Sequence, residues 1–347
     1  MAKKKEEQKL NYREELQKLK SDGPQRLYLL WGAEDYLREQ YLIQLKKLCL
    51  PEGEDSFSYK RLDGPELARE ALLQAIDTPP FLSERSFVEL RDVDLNHLSE
   101  PEKILAVLSE IPDYCTIAFV QSAQFEPDGR LKLIKGLREL ARELHFTRQS
   151  QGALTDWVSR RFAAAGKSID LEAAQRLIFV SGDLMSRLIP EIEKVAAYAK
   201  GERVTSADVD AVANHIPEAV IFEMTDYIAR REYNAALSVL SELLADKNNT
   251  PIAMLAMLGQ QMRRLYAARL AVDKKLGTDY VMEVCALRYD YLATKLTASA
   301  RGFTPGQLKR AVELCAEADY QMKSSSVDDL ELLKELVTRI MAGETDA

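Results

Sequence analysis

The stretch "RLYLLWGAEDYLREQYLIQLKKL", residues 26–48, reads as a buried strand, one glycine and an acidic turn opening a long helix, which is how phosphate-binding loops begin. A working loop continues as G-x-x-x-x-G-K-[ST], so that backbone amides cradle phosphates, a lysine reaches the outer ones and a hydroxyl holds Mg²⁺. Counting from Gly32, the last three places hold Leu37, Arg38 and Glu39. Glu39 sets a negative charge where the metal-bound phosphate would lie, and Glu34 and Asp35 add to the repulsion. The outline is that of a nucleotide site and the chemistry is wrong. A degenerate loop and no cofactor are expected.

Other chemistry-bearing stretches fare no better. "AAAGKS", residues 163–168, has the G-K-S end of such a loop, but Arg161 stands where the earlier glycine belongs and the segment joins two helices. Gly166 ending one helix and Asp170 capping the next account for it. Asp92 and Asp94 follow a strand, without a second cluster to complete a metal site. "CTIAFVQSAQ" ends in Val120, Gln121 and Ser122, with no acid for Mg²⁺. Cys49, Cys115, Cys285 and Cys315 stand far apart in apolar surroundings, as do the histidines His97, His145 and His215 from one another. No zinc spacing and no Cys/His pair arise, so no metal and no catalytic residue are expected.

"AIDTPPFLSERSFVEL", residues 75–90, is more informative. Pro79 and Pro80 stiffen the chain immediately before Phe81 and Leu82, and Ser83, Glu84 and Arg85 lead into a strand. A rigid turn that carries an aromatic and a leucine suits a docking hot spot, each large apolar side chain being worth about 1.5–3 kcal/mol when buried. Equally, the two could close the sheet's own core. Both readings stand at this point.

The elements that must position these residues follow from pattern. The 347 residues exceed one simple core. A composition of 46% hydrophobic and 29% charged residues is that of an ordinary folded chain. A net charge of −8 argues against a stand-alone DNA binder, whose affinity for duplex rests on basic groups. No apolar run approaches the roughly 20 residues that span a bilayer, and the lysine-rich start lacks the apolar core of a secretory signal. A cytoplasmic location away from membranes is expected.

From about residue 26 to 150, the runs "RLYLLW", "FSYKRLD", "SFVELRDV", "CTIAFV" and "LHFTR" alternate with helical patterns around 36–49, 65–76, 101–110 and 130–143. That alternation implies a mostly parallel sheet covered on both faces. Beyond "RQSQGAL" the pattern reads as helical throughout, with Thr205 and Asp208 spaced as a capping box. Pro190 should start or kink its helix. Leu308, Val312, Cys315, Asp319 and Met322 share a helix face, placing Asp319 on an apolar stripe within reach of Lys323, as a structural ion pair. The expected fold is α/β plus all-α: residues 1–150 an α/β domain, 151–215 a small helical domain and 216–347 a helical bundle.

The combination of "LYLLWGAEDYLREQ", "FSYKRLDG", "TPPFLSERSFVELRDVD", "CTIAFV", "GDLMSRLIPEIEKVAAY", "VTSADVDAVANHIPEAVIFEMTDYI", "AALSVLSELL" and "EADYQMKSS" resembles the delta subunits of bacterial DNA polymerase III clamp loaders. The likeness runs from about residue 26 to 342. It implies an AAA+ type α/β domain carrying the clamp-binding element, a helical lid and a C-terminal collar domain for oligomerisation. It further implies a clamp-loader subunit of the polymerase holoenzyme that opens the sliding clamp (beta) for loading onto primed DNA, without intrinsic catalysis. The partners implied are that clamp, the ATPase and delta-prime subunits, and primer-template DNA within the assembled complex. The Ser-Arg-Cys finger of partner subunits is not supplied by "VSRRF" or "MSRL". The family's hydrophobic wedge before a strand matches Pro80, Phe81 and Leu82: Phe81 stands for the wedge aromatic, and Leu82 takes the share of a leucine that Pro80 replaces.

Two other classes compete with this reading. A divergent P-loop ATPase would have to bind ATP despite Glu39. A DNA-binding replication adaptor or initiator with a decayed ATPase domain would want a basic helix, for which "QQMRRLYAARLAVDKK", residues 260–275, is the nearest candidate. Its Arg263, Arg264, Arg269, Lys274 and Lys275 alternate with Leu265, Leu270 and Val272, as in a bundle helix with one solvated face.

Overall fold

Buried on both faces, the strand residues Leu27–Trp31 and Cys115–Val120 form the centre of a parallel sheet, which is why they read as unbroken apolar runs. The computed structural model describes residues 10–51, 53, 57–80, 83–246 and 248–343. The chain divides into two compact units, the first running to Gln149 and taking in Leu184–Ser186, the second made of Ser150–Asp183 and the chain from Arg187.

In the first unit the order is α1 (Tyr12–Asp22), β1 (Leu27–Trp31), α2 (Asp35–Cys49), β2 (Tyr59–Asp63), α3 (Arg69–Ile76), β3 (Ser86–Arg91), α4 (Pro101–Ser109), β4 (Cys115–Val120), α5 (Lys132–Leu140) and β5 (Arg142–His145). The strands lie in the order β2-β3-β4-β1-β5, every pairing parallel. Leu29 faces Phe119 across β1 and β4, and Val88 faces Ile117 across β3 and β4. Alternation sends Leu29, Val88, Ile117 and Phe119 to one face, against Leu72 of α3, Ile104 of α4 and Ile134 of α5. Tyr28 points the other way, its ring against Tyr41 of α2. This is a parallel α/β fold with helices on both faces of the sheet.

The fifth strand begins two residues before "LHFTR", at Arg142. Its first residues are polar because they answer neighbours: Arg142 pairs with Glu15 of α1 at 2.5 Å, and Glu143 accepts from Trp31 Nε1 at 3.0 Å. An apolar pattern is blind to such a strand.

The second unit is built from α6 (Gln151–Ala164), β6 (Ser168–Ile169), α7 (Leu171–Ser181), α8 (Met185–Tyr198), β7 (Arg203–Val204), α9 (Ser206–Val212), α10 (Pro217–Ala229), α11 (Tyr233–Ala245), α12 (Pro251–Asp273), α13 (Thr278–Val284), α14 (Asp290–Ala300), α15 (Pro305–Ser324) and α16 (Asp329–Ala342). It is therefore not helical throughout: β6 and β7 pair in parallel, Ser168 with Arg203 and Ile169 with Val204. Two residues carry no period that a sequence pattern could register. Pro190 lies inside α8, which runs through it. The Asp208 carboxylate accepts from the Thr205 amide at 2.9 Å, one limb of a capping box. Leu258, Met262, Leu265, Leu296, Leu308, Leu314 and Leu336 anchor the bundle's core. Among the described residues no helix is long and apolar enough to cross a membrane.

Candidate functional site

The turn after β1 is closed by its own residues. Gly32 has φ +120°, and a Cβ there would stand 2.5 Å from the Phe146 carbonyl oxygen, so close backbone approach demands glycine. That same oxygen accepts from the Glu34 amide at 2.9 Å, while the Asp35 amide points to Ala33 O (3.2 Å) and the Tyr36 amide to the Asp35 carboxylate (2.9 Å). Three amides at the mouth of α2, where a phosphate would be cradled, are already engaged.

Arg38 occupies the lysine position and is 6% exposed. Its Nη1 donates to the Gly32 carbonyl at 2.7 Å, so the side chain folds back onto the loop. Burial lowers its pKa, with partial compensation from Glu39 and Asp35. Leu37, at the position of the second glycine, is buried. Glu39 makes a two-pronged pair with Arg91, at 2.9 and 2.7 Å. Its charge is thus balanced, and repulsion of phosphate by Glu39 is the lesser obstacle. Occupied amides and an inward arginine are the greater one.

Arg91, the last residue of β3, also contacts Glu89. Glu89 is wholly buried and receives Lys46 Nζ of α2 and the Tyr59 hydroxyl, each at 2.9 Å. Burial alone would raise the Glu89 pKa, but the hydrogen bonds from Lys46 and Arg91 hold it below the ordinary value. Sequence reasoning passed over Lys46, Glu89 and Arg91. The available signal was a glutamate between Val88 and Leu90 in a buried strand, since such a charge requires a partner.

Of the residues expected to dock, Pro80 is half-buried, and Phe81 and Leu82 lie outside the described residues. The chain on either side is tied to β2. Thr78 Oγ1 donates to Gln74 O at 2.9 Å and accepts from Lys60, whose Nζ also reaches Gln74 O at 2.9 Å. On the other side the Ser83 and Ser58 hydroxyls share a hydrogen bond of 2.6 Å. Pro79, Pro80 and Ser83 to Arg85 precede β3 at the N-terminal edge of the sheet, whereas Gly32 follows β1 at the opposite edge. A strand's length, roughly 17–20 Å, separates the two edges.

The remaining candidates are structural. Lys167 of "AAAGKS" donates to Ala199 O (2.5 Å) and Gly201 O (2.7 Å), closing the end of α8. Asp170 makes no capping bond and instead takes Arg203 at 2.7 Å. Asp319 and Lys323 pair at 2.7 Å with side chains 48% and 64% exposed, so Asp319 sits at the rim, where α15 runs past its core. Arg264 and Arg269 of α12 donate to Cys285 O and to Asp273. A cavity of about 530 Å³ in the second unit is lined by Arg176, Glu223, Asp226, Phe179, Tyr291 and Lys295. Arg176 bridges Asp210 and Glu223, and Lys295 lies over the Phe179 and Tyr291 rings. Among the described residues no cluster of His, Cys, Asp and Glu could hold a metal ion.

Comparison with known proteins adds the following. Residues 28–147 match the family described as "DNA polymerase III, delta subunit", and residues 218–340 match "DNA polymerase III delta subunit, C-terminal domain", together well over half of the chain. DNA polymerase III subunit delta of Bacillus subtilis is 25% identical over 324 residues, covering 91% of this chain and 92% of the relative. The probable DNA polymerase III subunit delta of Aquifex aeolicus is 23% identical over 325 residues, covering 90% and 91%. Among solved structures, the Bacillus subtilis DNA clamp loader delta protein shares the fold, with a TM-score of 0.55 at 21% identity over 95% of this chain and 99% of that one.

Proposed function

This chain belongs to the DNA polymerase III delta subunit family, a component of the clamp loader, and from that premise we propose that it binds the sliding clamp through Pro80, Phe81 and Leu82 and opens its ring without hydrolysing ATP. The observation that carries this reading is the double tether of the docking segment, Thr78 to Lys60 on one side and Ser83 to Ser58 on the other. Thr78 and Ser83 are thereby fixed by bonds to neighbouring chain, so little entropy of those two positions is lost on docking.

Opening a ring requires tighter binding to its open or strained form, because equal affinity for both forms shifts nothing. Phe81 and Leu82 supply that difference by filling an apolar pocket on the clamp. ATP is spent by the ATPase subunits, which control when the wedge is presented, with the delta-prime subunit and primer-template DNA completing the complex. The occupied amides at Glu34, Asp35 and Tyr36 support this division of labour, as does the placement of Pro80 and Ser83, before β3, at the sheet edge opposite to Gly32.

Surface plasmon resonance of the full chain on its host's immobilised clamp tests the reading. Phe81→Ala should cost about 2 kcal/mol or more, roughly thirtyfold in Kd, with ATP irrelevant to wild-type binding. Unchanged affinity in the variant removes the wedge assignment.

A further inference from the structure

We draw no further inference here: the strongest candidate, the cavity lined by α7, α9, α10 and α14 in the second unit, has Asp210 and Glu223 held by Arg176, Asp226 held by Arg230 and Lys295 laid over the Phe179 and Tyr291 rings, so nothing in the structure shows what would occupy it.

Discussion

Arg38 Nη1 lies 2.7 Å from the Gly32 carbonyl oxygen, so the residue at the lysine position of the loop is a strut inside it. Replacing Arg38 with Ala removes a buried charged donor and leaves that carbonyl without it. A loss of about 1.5–3 kcal/mol in urea unfolding is expected. A fluorescent ATP analogue should bind neither wild type nor variant, because the amides at Glu34, Asp35 and Tyr36 stay engaged. Saturable binding by either protein would contradict this account of the loop.

Gly32→Ala should be more damaging than its one added methyl suggests. The position combines φ +120° with backbone 2.5 Å from the added Cβ, and backbone cannot move aside as a flexible side chain can. A cost of at least about 2 kcal/mol is expected. The check is chemical denaturation; a variant as stable as wild type would mean that the turn relaxes freely.

The cluster of Lys46, Glu89, Arg91 and Glu39, buried at Glu89 and Lys46, predicts a pH signature. The folded Glu89 pKa lies below its ordinary value of 4.5, so its stabilisation is fully present above about that pH and is lost as the pH falls through the lower folded value. Glu89→Gln should cost about 3 kcal/mol at neutral pH by leaving Lys46 and Arg91 without their shared anion. Thermal midpoints of wild type and variant should then converge as the pH drops below about 4.5. Parallel curves down to pH 3 would show that Glu89 carries no such linkage.

How much of this was legible depended on whether a signal was local. The strands β1, β3 and β4 announce themselves because burial on both faces forces unbroken apolar residues into them. The departure from the phosphate-loop pattern at Leu37, Arg38 and Glu39 is equally plain, being a matter of residue type at fixed spacing. The way the loop is filled is not. Arg91 reaches Glu39 from 52 residues away, and only the placement of β3 beside α2 brings them together. The Phe146 carbonyl that takes the Glu34 amide is a backbone group, which no side-chain pattern encodes. The strands β6 and β7 escaped for want of length, and the polar start of β5 because its partners, Glu15 and Trp31, lie elsewhere in the chain.

The strand β2 ends the sheet, and three of its five residues are Lys60, Arg61 and Asp63. An open sheet edge is a template on which a stray strand can polymerise. Here Lys60 is drawn to Gln74 and Thr78, and Arg61 forks onto Asp63 at 2.8–2.9 Å. A foreign strand pairing with β2 would have to strip water from these charges or break their bonds. The lateral edge of the sheet is therefore armoured against fibril growth, and it can remain uncovered at concentrations at which a bare edge would aggregate.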